Sequence, residues 1–117
     1  MKINEYQQLA ARTINPTLTP DEVRQHALHE MSSELGEIHD IFQKHLQGHP
    51  IDPAALKYEI GDLLWGMSEL CTHYGWALEE IATMNIEKLR ARYPRGFDAD
   101  RSIHRPEYEG DVNHASD

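Results

Sequence analysis

The chain has one cysteine, Cys71, among its 117 residues. A single cysteine excludes an internal disulfide and any metal site built from several thiolates, and we expect it to be a small core residue of a helix. Basic residues are also few, because 11 lysines and arginines stand against 20 acids, for a formal net charge of −9. Such an acidic surface disfavours nucleic acid and anionic membranes as partners. A phosphate-bearing small molecule can still bind where a metal neutralises the site.

Long apolar runs and alternating segments are missing as well. No apolar run approaches the roughly 20 residues of a membrane-spanning helix, and the first residues lack the apolar core of a signal peptide. We therefore expect a cytoplasmic protein with no membrane partner. No segment alternates with period two for long enough to form a sheet. The sequence predicts an all-α domain, a bundle of about four helices.

Two segments carry strong signals for the start of a helix. Thr19-Pro20-Asp21-Glu22 combines an N-cap threonine, a proline at the first helical position and the glutamate of a capping box. Asp52-Pro53 repeats the cap and the proline. Together with apolar spacings of three and four, these signals predict helices over residues 3–13, 20–46, 53–74 and 78–93. After Pro94 we expect irregular structure, so that residues 1–106 form the domain and residues 107–117 an acidic, disordered tail.

One pattern of acid, aliphatic, glycine and acid occurs twice, as Glu34-Leu35-Gly36-Glu37 and as Glu59-Ile60-Gly61-Asp62. Each acid pair lies on one helical face, at the edge of an apolar stripe, which disfavours the alternative of solvated surface acids. A glycine inside a helix costs about 1 kcal/mol relative to alanine, so the two glycines predict close contact between the helices. Four converging carboxylates need cations, and oxygen ligands favour Mg²⁺ or Mn²⁺.

Other candidate binding residues lie outside this repeat. Six of the eleven basic residues fall between positions 88 and 105, which indicates either an anion partner or a helix end followed by a solvated tail. The candidates for holding phosphate oxygens are Asn85, Lys88 and Arg92. Tyr6, Trp65 and Trp76 could stack on a nucleobase, with a place in the core as the alternative. His26 and His29 are expected on a solvated helix flank rather than as metal ligands.

These motifs resemble those of a known enzyme family. The carrying residues are the two acid pairs, the second of them within Tyr58-Glu59-Ile60-Gly61-Asp62-Leu63-Leu64-Trp65, and the segment from Asn85 to Pro94. The chain resembles a MazG-like nucleotide pyrophosphohydrolase of the all-α NTP pyrophosphatase superfamily, over roughly residues 3 to 105. The resemblance implies conversion of a (d)NTP to the (d)NMP and pyrophosphate, by a homodimer or higher homo-oligomer. Many relatives have an acid where this chain has Ser33, which leaves the number of metal ions open.

The resemblance also implies a mechanism. Glu34, Glu37, Glu59 and Asp62 would bind Mg²⁺, with Mn²⁺ as a substitute, and a metal-activated water would attack the α-phosphorus. Glu34 or Glu37 would accept the proton. Two rival functions stay open: a non-catalytic helical regulator or adaptor, and a different metal-dependent nucleotide phosphohydrolase that releases orthophosphate.

Overall fold

The protein is helical over most of residues 1–105, the part of the chain that the computed structural model describes. Five helices lie in this part: α1 Ile3–Ala11, α2 Pro20–Leu46, α3 Pro53–Tyr74, α4 Leu78–Arg92 and α5 Ala99–Ile103. The same residues contain no β-strand, only an isolated bridge between Pro94 and Gly96. None of the described helices is long and apolar enough to cross a membrane. The prediction of an all-α fold is therefore confirmed.

The starts of α2 and α3 are fixed by the predicted caps. The Thr19 hydroxyl accepts a hydrogen bond from the backbone N–H of Glu22, and the Glu22 carboxylate accepts one from the backbone N–H of Thr19. The hydrogen bond from the Thr19 backbone N–H lowers the pKa of Glu22, and a hydrogen bond from the Thr19 side chain adds to the effect. The Asp52 carboxylate accepts from the backbone N–H of Ala54. At the other end of α3, Gly75 takes the left-handed conformation with φ 73°, which ends the helix at little steric cost.

The prediction of irregular structure after Pro94 is wrong for one segment. Asp98 caps α5 by accepting from the backbone N–H groups of Asp100 and Arg101. The Arg101 side chain then donates to the carbonyl oxygens of Arg92, at 2.6 Å, and Ala91, at 3.0 Å. These carbonyls belong to the last turn of α4, where helical partners are lacking. Side-chain hydrogen bonds rather than apolar periodicity form this turn. The predicted tail, residues 107–117, lies outside the described residues.

The chain divides into two units, residues 1–78 and the residues from 79 onward. The first unit contains α1, α2 and α3. Helices α2 and α3 run antiparallel, because His26 contacts Glu69 while Met31, further along α2, lies beside Gly66. Helix α1 packs on α3 through Gln7, whose amide donates to the Thr72 hydroxyl and to the carbonyl of Trp76. The second unit contains α5 and nearly all of α4.

Among the glycines of α2 and α3, the one that lies against the neighbouring helix is Gly66, which the repeated motif does not include. A Cβ atom on Gly66 would lie 2.7 Å from Cγ of Met31 and 3.4 Å from its backbone nitrogen. At Gly36 and Gly61, in contrast, an added Cβ would meet nothing within 4 Å. The prediction that these two glycines mark close helix contact is wrong, because both lie on exposed sides of their helices.

Much of the apolar surface of the first unit is exposed to solvent. Cys71 is buried, as predicted, and so is Ala27. Six large apolar side chains of α2 and α3 are each between 41% and 55% exposed: Leu28, Leu35, Phe42, Ile60, Met67 and Tyr74. They recur every seven residues on each helix, so they form one stripe along α2 and one along α3. We call these the apolar stripes.

Candidate metal centre

Three of the four predicted carboxylates converge. Glu34 of α2 and Glu59 and Asp62 of α3 each offer one oxygen, and these oxygens lie within 4.8 Å of one another. The antiparallel contact of the two helices brings the acid pairs together across the chain. Glu37, one turn beyond Glu34, is exposed and lies outside this group. Its charge instead helps Asp40, whose carboxylate binds the ammonium, to raise the pKa of Lys44.

The pKa values of two of these carboxylates, Glu34 and Glu59, are raised, in part because the negative charges repel one another. The hydrogen bond that the Glu59 carboxyl donates to Glu34 raises the pKa of Glu59, and burial and the charges of Glu34 and Asp62 raise it further. The same hydrogen bond lowers the pKa of Glu34, but burial and the charges of Asp62 and Glu30 outweigh it, so that the net direction is also upward. Without a cation, Glu34 and Glu59 therefore hold protons up to a higher pH than isolated glutamates do.

The donor set fits a hard divalent cation. All three side chains offer carboxylate oxygens, which Mg²⁺ and Mn²⁺ prefer. The raised pKa values of Glu34 and Glu59 reflect the negative charge gathered here, which a divalent cation would offset. Asp62 is exposed, so an ion can enter from solvent. Glu34, Glu59 and Asp62 are thus the residues that could hold the metal.

The raised pKa values of Glu34 and Glu59 predict how stability depends on pH in protein freed of metal by a chelator. Because the pKa values of Glu34 and Glu59 are raised on folding, the folded chain holds a proton that the unfolded chain releases above the ordinary value of 4.5. Their contribution to stability is therefore present below that pH and is lost as the pH rises through the raised values. Urea unfolding at about pH 5 and about pH 7.5 measures the difference.

The Glu34→Gln variant isolates this contribution, since the other titrating groups are common to both proteins. We expect the variant to lose less stability than the wild type between the two pH values. Mg²⁺ at about 100 times its dissociation constant should stabilise the wild type by roughly 2.7 kcal/mol and the variant by much less. Equal pH dependence in both proteins would show that Glu34 holds no extra proton.

The three aromatic candidates for stacking on a nucleobase differ in how near they lie to the carboxylates. Burial raises the pKa of Tyr6, and the charge of Asp62 adds to the effect, so the phenol faces the acidic group. Trp65 follows Asp62 by one turn of α3, and its indole N–H donates to the Thr13 hydroxyl at 2.7 Å. Trp76 lies beyond the end of α3, stacked on Tyr74 with ring centroids 4.7 Å apart. Tyr6 and Trp65 are therefore near the carboxylates, whereas Trp76 lies more than three helical turns along the chain from Asp62.

The phosphate-binding candidates belong to the second unit. Asn85 and Lys88 are exposed on α4. Arg92, at the end of that helix, is only 9% exposed, and its guanidinium carbon lies 5.7 Å from the centroid of the Tyr93 ring. Asn85 and Lys88 thus present polar groups to solvent, while Arg92 is largely buried.

Sequence reasoning missed a pair of residues on α2 and α3. Nδ1 of His26 lies 2.8 Å and 3.0 Å from the two carboxylate oxygens of Glu69, whose side chain is completely buried. His26 was expected on a solvated flank, and 44% of its side chain is exposed, but its pairing with Glu69 was not predicted. One signal in the sequence was available, since Glu69 interrupts the apolar run of α3 and an isolated buried glutamate is rare without a partner.

Comparison with known proteins agrees with this geometry. A family model described as the MazG nucleotide pyrophosphohydrolase domain matches residues 23–97. The matched range includes both acid pairs and most of α2, all of α3 and all of α4. Searches of curated proteins and of solved structures gave no match.

Proposed function

The chain belongs to the MazG nucleotide pyrophosphohydrolase family, and is thus a hydrolase acting on nucleoside triphosphates; on this basis we propose that it is Mg²⁺-dependent and converts a (d)NTP to the (d)NMP and pyrophosphate. The observation that carries the proposal is the convergence of Glu34, Glu59 and Asp62 within the matched range. An acidic protein can bind a triphosphate only where cations offset the charge of both. This group of carboxylates is where such cations would bind.

The proposed reaction is a hydrolysis at the α-phosphorus. Bound Mg²⁺ would neutralise charge on the triphosphate and make a coordinated water more acidic. Water oxygen bonds to the α-phosphorus, the bond from that phosphorus to the bridging α,β-oxygen breaks, and pyrophosphate leaves with the bond electrons. Through the Mg²⁺ that they would bind, Glu34, Glu59 and Asp62 would hold the triphosphate and the attacking water in position. This positioning would supply much of the rate enhancement.

A carboxylate of the chain accepts the proton of the attacking water. We assign this role to Glu34, because a general base must lie within hydrogen-bond reach of the proton and Glu37 lies outside the converging group. The alternative from the sequence is Glu37. Glu37→Gln distinguishes the two, since a loss of kcat as large as that of Glu34→Gln would transfer the role to Glu37.

Phosphate binding by Asn85, Lys88 and Arg92 stays a proposal that rests on the sequence. The two exposed members, Asn85 and Lys88, are accessible to an anion in solution. The ammonium of Lys88 can stabilise phosphate oxygens as a point charge. If Lys88 holds the β- and γ-phosphates, Lys88→Ala raises KM more than it changes kcat.

We also propose that the enzyme is a homodimer in which the apolar stripes of α2 and α3 pack against their counterparts. Exposed apolar surface of this extent marks an interaction site. Its seven-residue spacing is that of helices which pack lengthwise against other helices. A second copy of the same chain supplies a surface of matching spacing.

The reaction is tested by measuring pyrophosphate release from a panel of the four NTPs and four dNTPs, with Mg²⁺ and with a chelator. We expect Mg²⁺-dependent release from at least one member, with the monophosphate as the other product. Orthophosphate as the first product would favour the rival phosphohydrolase. No release of either product by folded, metal-bound protein would favour the regulator.

A further inference from the structure

We propose that His26, oriented by the buried Glu69, contacts the nucleoside part of the substrate, with Trp65 beside it. This inference rests on the proposed function, because it assigns a second part of the same site. It starts from the two bonds between Nδ1 of His26 and the carboxylate of Glu69. A carboxylate without solvent contact is costly unless it is paired, so the pair fixes the histidine ring firmly.

The pairing determines what the outer side of the ring offers. An ionised carboxylate only accepts hydrogen bonds, so Nδ1 of His26 carries the hydrogen and donates to Glu69. In the neutral ring, Nε2 is then an acceptor on a side chain that is 44% exposed. A sugar hydroxyl or an exocyclic amino group of a base is the kind of donor that such an atom binds.

Trp65 adds an aromatic surface next to this acceptor. The His26 and Trp65 rings meet edge to face, with centroids 5.9 Å apart. The only polar atom of the indole is already used, because it donates to Thr13. Trp65 can therefore contribute its ring surface alone, which suits a nucleoside better than a phosphate.

The spacing along the helices places this pair beyond the phosphates. Glu69 follows Asp62 by seven residues, which keeps it on nearly the same face of α3, about 10 Å further along the axis. His26 precedes Glu34 by eight residues on the antiparallel α2. Metal at the carboxylates would hold the phosphates, and the sugar and base of an extended nucleotide can bridge a separation of this size.

The test variant keeps the bond to Glu69 and removes the outward nitrogen. In His26→Asn, the side-chain amide can donate to Glu69 as Nδ1 does, so the buried carboxylate is not left unpaired. His29→Asn is the matched control, because His29 is exposed and lies one turn away on the same helix. Binding of the eight ribo- and deoxyribonucleoside monophosphates, and of inorganic pyrophosphate, is measured with Mg²⁺ by calorimetry on the full chain.

We expect His26→Asn to weaken binding of the preferred monophosphate about tenfold while pyrophosphate affinity changes less than about twofold, and His29→Asn to change neither. In turnover, KM for the triphosphate should rise with kcat nearly constant. An equal loss of both affinities would show a general structural role and overturn the inference. Unchanged monophosphate affinity would overturn it as well.

A second variant tests the orientation of the ring. In Glu69→Gln the amide can donate to Nδ1, so that Nε2 carries the hydrogen and the outward atom becomes a donor. We expect the order of preference among the monophosphates to change. A uniform loss across the panel would contradict the role of Glu69. Because monophosphate binding needs no turnover, an inactive wild type that binds nucleotides would refute the proposed reaction and leave this inference standing.

Discussion

Asp62→Ala and Glu59→Gln are each expected to lower kcat/KM for the preferred triphosphate by about a thousandfold or more, a loss of about 4 kcal/mol of transition-state stabilisation. Both side chains belong to the converging group, so each variant removes a carboxylate that would hold the metal. Neither side chain is needed for the helix, since α3 is capped by Asp52 and ended by Gly75. Pyrophosphate release and circular dichroism measured on the same preparations check both parts of the prediction.

The control must remove a negative charge from the same unit without touching the group. Asp40→Asn does so, because Asp40 pairs with Lys44 on α2 and lies outside the three-carboxylate group. An exposed ion pair contributes little to stability, and Asp40 is not one of the carboxylates that would hold the metal. We therefore expect the activity of Asp40→Asn to stay within about twofold of the wild type. Wild-type turnover by either Asp62→Ala or Glu59→Gln would refute the metal assignment. An equal loss in Asp40→Asn would point to overall charge instead.

The sequence predicted the features that depend on local signals. The caps at Thr19 and Asp52 are hydrogen-bonding patterns within four residues, and prolines beside them mark the first turn. The convergence of Glu34 with Glu59 could also be predicted, because one motif repeated on two neighbouring helices implies a shared face. The five-residue helix α5 could not, since Asp98 and Arg101 form it without apolar periodicity.

Features that depend on the register between helices could not be predicted from the sequence. His26 and Glu69 are 43 residues apart, and their contact exists only because α2 and α3 pack with a particular offset. The same offset decides that Gly66, rather than Gly36, faces the neighbouring helix. The energetic cost of a glycine inside a helix indicates that its small size has a structural role. The sequence does not indicate which neighbouring residue, if any, the glycine contacts closely.

Met67→Lys is expected to convert the enzyme from a dimer to a monomer. Met67 is the middle residue of the apolar stripe on α3 and is 41% exposed, so it is available to a second copy of the chain. In a dimer formed through the stripes, the substitution would bury an ammonium with no partner, which costs several kcal/mol. Sedimentation equilibrium should give twice the chain mass of 13.5 kDa for the wild type and the single chain mass for the variant.

Lysine is chosen because it makes this acidic protein less charged, so dissociation cannot be attributed to added net charge. Tyr58→Lys is the matched control, since Tyr58 is 76% exposed on α3 and lies on the side away from the stripe. The control should stay dimeric. A dimeric Met67→Lys variant would place the contact between copies elsewhere, and a monomeric wild type would refute the dimer. If the single chain of Met67→Lys also unfolds more easily, the apolar stripes contribute to the stability of each copy through the partner that covers them.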